Sequence, residues 1–243
     1  MSAAMNSAAV KKTTRRVKIV GMVGKGGTGK TSTAINLALT AQRAGLRVAV
    51  LGVDSQKCIH AWWTIRNRDD FSVATMTTAE ATAFITSDQA EKLDLLIIDC
   101  GKEPSAGLGN LVELFDMALL PMRPSLLDIN VTRSWVYWLS RHKTRHAVLI
   151  NAAPPRRRLP GQPMNVYPPR VQESPLVRET REALRDEKFR VWNGQLSYLH
   201  GMMYAVGRGR GLVELQPEGT AALEIQRLLR DLEKELGIGR VAA

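Results

Sequence analysis

Two cysteines in 243 residues, Cys58 and Cys100, make neither a disulfide framework nor a metal-ligand set. Long apolar runs are missing too. None approaches the roughly 18 residues that would cross a bilayer, and Met1 to Lys12 is small and polar, without the apolar core of a secretory signal. These absences predict a cytoplasmic protein with no membrane attachment. Acidic residues are in deficit: 23 Asp and Glu face 34 Lys and Arg, giving a formal net charge of +11 and an isoelectric point near 10.0. The deficit is uneven, since fifteen Lys and Arg against five Asp and Glu lie between Arg133 and Arg210. Such asymmetry suits a polyanionic partner; a basic face that only aids solubility would give the same count.

At this length one α/β domain can bury a full core, and nothing in the composition marks a second. Residues 1–14, rich in Ser, Ala, Asn and Thr without periodicity, read as a disordered tail, with Lys11, Lys12, Arg15 and Arg16 adding weak polyanion contacts. Residues 15–243 read as a single domain.

The chain is organised around Val17 to Thr33. Apolar and β-branched Val17 to Val23 reads as a buried strand, Gly24-Lys25-Gly26-Gly27-Thr28-Gly29-Lys30-Thr31 as a loop, and Ala34 to Ala44 as a helix. The loop fills G-x-x-x-x-G-K-[S/T] between a strand and a helix, the context that gives the pattern its meaning. Its four glycines let backbone N–H groups turn around phosphate oxygens where a Cβ would obstruct, and the helix N-terminus adds partial positive charge. Lys30 is expected at the β- and γ-phosphates, the Thr31 hydroxyl on Mg²⁺ and Ser32 at the α-phosphate. The predicted ligands are ATP and Mg²⁺.

Two further apolar runs, Arg47 to Asp54 and Leu93 to Asp99, end in carboxylates. In a doubly wound sheet ligands lie beyond the carboxyl ends of the strands, which brings both aspartates to the phosphates. Asp99 suits Mg²⁺ held through a bound water. Asp54 suits a role on the attacking water, or as a further metal ligand, or as the cap of a helix from Ile59 to Arg66. Other strands are expected at Phe71–Met76, Met117–Met122, Ala147–Asn151 and, at an edge, Phe189–Trp192. Helices are expected at Thr77–Ile85, Ala106–Phe115, Val131–Leu139, Glu173–Lys188 and Leu199–Val206, before a last helix whose Ala222, Ile225, Leu229, Leu232 and Leu236 form a core-facing stripe. His142 and His146 have the spacing of a metal pair, but a helix end is expected between them. Seven of eleven prolines fall in Pro154 to Pro175, a long segment interleaved with Arg156, Arg157, Arg158 and Arg170.

Lys25, which turns the loop into Lys-Gly-Gly-x-Gly-Lys-Thr, makes the chain resemble the ParA/MinD group of deviant phosphate-loop ATPases. Val50 to Gln56, followed by Trp62-Trp63, is similar to the family's Asp-x-Asp-Pro-Gln motif. Pro121 to Asp128 resembles its Pro-x-x-Pro-Ser-x-x-Asp loop, and Asn151-Ala-Ala-Pro154-Pro-Arg156 the Asn-x-x-Pro-Pro-Arg of small ParA proteins. The likeness runs from about residue 17 to 236. It implies a P-loop NTPase fold, α/β with a doubly wound, mostly parallel sheet flanked by helices. It also implies an ATP-sandwich homodimer in which Lys25 crosses to the partner's nucleotide, with Lys25, Lys30 and Asp54 as the catalytic set and Asn151 and Pro154 at the base. Gly52 stands where the family has its first Asp, Ser55 replaces its Pro, and Cys100-Gly101-Lys102 alters the switch after Asp99. These departures bear on turnover more than on binding.

The function so implied is a weak, partner-stimulated ATPase associated with the nucleoid. It would bind double-stranded DNA without sequence preference and position a plasmid, chromosome or other cargo through a ParB-like adaptor. Arg208 and Arg210, with Arg156, Arg157, Arg158 and Arg170, are the expected DNA surface. Two alternatives fit the same residues. One is a DNA-binding structural or regulatory module that keeps the pocket but hardly turns over. The other is a membrane-cycling, MinD-like regulator, disfavoured because acidic residues outnumber basic ones five to three from Glu218 to Leu236.

Overall fold

A computed structural model describes residues 17–54, 57–158, 171–198 and 200–238. The expected N-terminal tail, Ser55, Gln56 and Arg170 therefore lie outside the described residues.

Six parallel strands make the sheet: β1 (Lys18–Met22), β2 (Val48–Gly52), β3 (Ser72–Thr75), β4 (Leu95–Asp99), β5 (Met117–Met122) and β6 (His146–Ile150), in the order β3-β2-β4-β1-β5-β6. This is the doubly wound, parallel arrangement expected from the sequence. Successive residues of a strand face opposite sides, and here both sides are covered. Val48, Val50, Leu95 and Ile97 enter one core, while Ala49, Leu51, Leu96 and Ile98 enter the other. That is why β2 and β4 read as unbroken apolar runs rather than as alternation. Full burial of each such side chain is worth about 1.5–3 kcal/mol, so a charge introduced mid-strand has no face to escape to.

The first core is closed by α1 (Lys30–Arg43), α2 (Cys58–Arg66) and, near the C-terminus, α9 (Leu212–Leu215) and α10 (Thr220–Leu236). The second is closed by α3 (Thr78–Ile85), α5 (Ala106–Val112), α6 (Leu126–Arg141) and α7 (Pro175–Asp186). Local signals set the helix ends. Thr77 and Glu80 exchange side-chain and backbone hydrogen bonds in a capping box, and Ser105 and Ser174 cap α5 and α7. A four-residue α4 (Asp88–Glu91) and α8 (His200–Val206) complete the helices described.

Several elements differ from expectation. The first helix begins at Lys30, inside the glycine motif, because left-handed Gly29 (φ 91°) serves as its N-cap. The expected edge strand at Phe189–Trp192 is a single parallel bridge, Val148 to Val191. Arg157–Arg158 (β7) pairs antiparallel with Val171–Gln172 (β8), both within the proline-rich segment. His142 and His146 do not converge: α6 ends at Arg141, His142 Nδ1 meets Glu113 Oε1 at 2.9 Å, and His146 Nδ1 meets the Thr144 carbonyl. Among the described residues no His, Cys, Asp and Glu cluster suits a metal by itself, and no helix is long and apolar enough to cross a membrane.

Candidate functional site

The chain leaves the central strand β1 at its carboxyl end, between the carboxyl ends of β4 and β5, where the sheet's winding reverses. That crevice is where an open parallel sheet binds its ligand. The loop after β1 occupies it. Lys30, 7% exposed, donates from Nζ to the carbonyls of Gly24 (2.9 Å) and Lys25 (3.0 Å), so its ammonium lies in the loop's concavity. Burial lowers the Lys30 pKa, with Asp99 as the main counterweight. Thr28 Oγ1 donates to the Lys25 carbonyl, and Asn151 Nδ2 to the Thr28 carbonyl at 2.6 Å. The fit against Asn151 is tight enough that a Cβ at Gly29 would stand 2.3 Å from that amide nitrogen.

Asp99 and Thr31 meet beneath the loop. Thr31 Oγ1 donates to Asp99 Oδ2 at 2.6 Å, while the buried Asp99 Oδ1 has no hydrogen-bond partner among the described residues. Desolvation pushes the Asp99 carboxyl up to about 6, against the downward pull of Thr31 and Lys30. A buried carboxylate with an orphaned oxygen beside a threonine hydroxyl suits a hard divalent cation with oxygen ligands, so the donor set fits Mg²⁺. Asp54 does not cap α2, whose N-cap is Lys57. Its carboxylate lies against Gly101, where a Cβ would be 3.8 Å from Asp54 Oδ1, and near enough to Lys30 and Asp99 to influence both electrostatically. Cys100 is fully buried, and burial raises its pKa well above the ordinary thiol value, so it packs and does not present a nucleophile.

The Asp99 shift has a measurable consequence for stability. A carboxyl whose folded pKa is raised makes the native state bind protons more tightly than the unfolded chain does. Stability therefore falls as pH climbs from the ordinary carboxyl value near 4 through about 6, and the full cost is present at neutral pH. Asp99→Asn removes it and should stabilise the chain in chelator at pH 7.5 by up to about 3 kcal/mol, the gain vanishing near pH 4. Urea unfolding at the two pH values checks this; equal stabilities of variant and wild type at both would mean that Asp99 is solvated.

Beyond the loop a cleft of about 540 Å³ opens, lined by Gly27 to Gly29, Ser32, Arg123, Asn151, Ala152, Ser197, Tyr198, Met202 and Met203. The loop and Asn151 thus share one cavity of the size a nucleotide needs. Pro154, expected at the base, does not line this cleft; its carbonyl accepts from Gln195 Nε2. Lys25 sits at the loop's rim, 45% exposed at the side chain, and its Nζ reaches Asp128 Oδ1 at 2.6 Å. The sequence pointed to none of Arg123, Ser197, Tyr198, Met202 and Met203 individually. Arg123 and Asp128 lie inside a motif that the sequence did pick out, and the other four lie between Gly194 and Gly219, a stretch that resembles small ParA proteins without marking any of them as a ligand.

The expected DNA-binding arginines are not gathered alike. Arg208 is exposed, its guanidinium 3.9 Å over the Tyr204 ring, and Arg210, two residues on, lies 3.8 Å from Glu214. Arg156 turns to Glu173 at 3.1 Å, Arg157 is exposed on β7, and the side chain of Arg158 lies outside the described residues.

A sequence model of the CobQ/CobB/MinD/ParA nucleotide binding domain matches residues 19–238. The chain belongs to this family. Among family relatives, maintenance of carboxysome distribution protein A of Gloeobacter kilaueensis is 30% identical over 135 residues, 55% of this chain and 62% of that protein. The chain thus spans less than two thirds of that relative's length. Apo McdA of Cyanothece has a similar structure, with TM-score 0.69 and 13% identity over 88% of this chain and 98% of that one. So does the septum site-determining protein MinD of Pyrococcus horikoshii, complexed with Mg-ADP, with TM-score 0.66 and 15% identity over 93% and 100%. At these identities the structural likeness is one of fold, and it is the P-loop fold of the ParA/MinD family.

Proposed function

We propose that this chain is a ParA-type positioning ATPase. It takes ATP with Mg²⁺ in the cleft, pairs with a second copy across the bound nucleotides, binds DNA without sequence preference and moves a cargo through a ParB-like adaptor. Lys30 and the glycine-loop amides hold the phosphates, Thr31 and Asp99 the metal, Asp54 the attacking water, and Asn151 the base edge. The observation that carries the reading is the placement of Lys25. It stands on the open rim of the loop rather than inside it, beside the start of α6, where Leu126 and Leu127 are 74% and 76% exposed. A lysine able to leave Asp128, flanked by uncovered leucines, suits a face that meets a second copy.

Sedimentation with ATP, with and without random-sequence duplex, tests the reading. Wild type should dimerise and carry duplex with it, the binding falling steeply with salt as phosphates are neutralised. Lys25→Ala should bind ATP but remain a monomer and leave the duplex behind. A Lys25→Ala dimer, or wild-type binding confined to one sequence, would sink it.

One observation favours the second reading, a module with little turnover. At Gly52, where the family has its first Asp, the chain carries no carboxylate, and a Cβ there would stand 3.3 Å from Ile59 Cβ, so α2 packs closely on this position. The ATPase rate with and without DNA separates the two.

A further inference from the structure

Arg123 belongs to the cleft but has no place in the assignments above. It follows β5 directly, and two contacts fix it over the phosphate loop. Its backbone N–H donates to Asp128 Oδ2 at 3.3 Å, and its Nη2 donates to the Gly27 carbonyl at 2.7 Å. The same Asp128 carboxylate holds Lys25 Nζ through its other oxygen. One buried aspartate thus places two cations on the loop, one by its side chain and one by its backbone. With Lys30 in the loop's concavity, three positive charges surround Gly24 to Gly29.

The geometry points to Arg123 as a phosphate ligand of the bound nucleotide, acting within its own subunit. The inference rests on the nucleotide-binding reading of the cleft. Among the described residues the Arg123 guanidinium makes one hydrogen bond, to Gly27 O, although it has five N–H donors. It is exposed, so moving the side chain disturbs no core. It lines the cavity together with Gly27, Gly29 and Ser32, the loop and first helical turn whose amides face phosphate in this motif. A neutral carbonyl is a weaker partner for a guanidinium than a phosphate, which accepts two parallel charge-assisted bonds. Once a diphosphate or triphosphate enters, the guanidinium exchanges Gly27 O for phosphate oxygen. Asp128 keeps the Arg123 backbone in place during the exchange.

Calorimetric titration with ATP and ADP, alongside ligand-detected NMR with adenosine, tests this on wild type, Arg123→Ala and Arg123→Lys. Arg123→Ala should weaken ATP and ADP at least tenfold and leave adenosine unchanged. Arg123→Lys should recover part of the loss, because it keeps the charge and loses the fork. Unchanged or tighter ATP binding by Arg123→Ala would mean that the residue only caps Gly27. Equal losses for ATP and adenosine would mean that it only shapes the cleft. Either result overturns the assignment while leaving the nucleotide reading intact. A wild-type chain that binds neither ATP nor ADP would remove both.

Discussion

Lys30→Ala should raise the dissociation constant for Mg·ATP by at least about a hundredfold. Its ammonium is buried in the loop's concavity, held by two backbone carbonyls that a bound phosphate would replace. A charge-assisted hydrogen bond is worth about 1.5–3 kcal/mol, and loss of two of them corresponds to roughly two to four decades in affinity. Burial already lowers the Lys30 pKa, which records that this cation has left much of its water and that an anion is its natural partner. Calorimetry at pH 7.5 decides it, with circular dichroism to show that the variant folds. Affinity within threefold of wild type would mean that the loop does not hold phosphate.

The glycine loop between β1 and α1, the place of Asp99 at the end of β4 and the parallel sheet were legible in the sequence because their signals are local. A strand buried on both faces must be apolar throughout, so Leu95 to Ile98 announces itself, and the carboxylate that breaks the run marks the end where ligands gather. Helix starts were less legible. Leu126 and Leu127 open α6 while exposed, so they contribute nothing to an inward-facing stripe, and the helix was read as starting only at Val131. The edge strand at Phe189 was overread, because an apolar and aromatic run looks the same whether it makes one bridge or a full ladder. Contacts between distant residues had no local signal at all. Lys25 with Asp128, and Asn151 with Thr28, join positions more than a hundred apart, and only the folded chain brings them together.

Gly207-Arg208-Gly209-Arg210-Gly211 shows the same limit in the expected DNA surface. Two of its glycines are glycine because the turn is packed. A Cβ at Gly209 (φ 65°) would lie 2.4 Å from the backbone of Arg66, and one at Gly211 would lie 2.4 Å from Leu39 Cδ1. Asn36 of α1 accepts the Leu212 N–H at 2.7 Å. The turn that carries Arg208 and Arg210 is therefore seated on α1 and α2, the two helices that lead away from the nucleotide loop and from Asp54.

Arg66→Leu should destabilise the chain by about 3–5 kcal/mol and weaken duplex binding at the same time. Arg66 closes α2 and is 1% exposed at its side chain. Its guanidinium binds Asp70, donates to Glu214 Oε2 at 2.9 Å and to the Gly209 carbonyl at 2.9 Å, and lies 5.3 Å over the Trp62 ring. Burial alone would lower its pKa, but the hydrogen bonds to Asp70 and Glu214 outweigh burial and hold it above the ordinary arginine value. Removing one partner of a buried ion pair leaves the other charge uncompensated, which is the costly case. Glu214, 17% exposed at its side chain, bears most of that cost; Asp70 is 34% exposed and reaches water. Changing Glu214 to Leu as well should therefore recover part of the stability, because an apolar pair of similar volume replaces the ions. It should not recover duplex binding, since the Gly209 carbonyl still lacks its anchor and Arg208 and Arg210 lose their fixed presentation. Urea unfolding of both variants, with anisotropy on a labelled random duplex, separates the two effects. A single variant within 1 kcal/mol of wild type would show that water reaches both carboxylates, and full recovery of duplex binding in the double variant would show that the turn does not depend on Arg66 for its position.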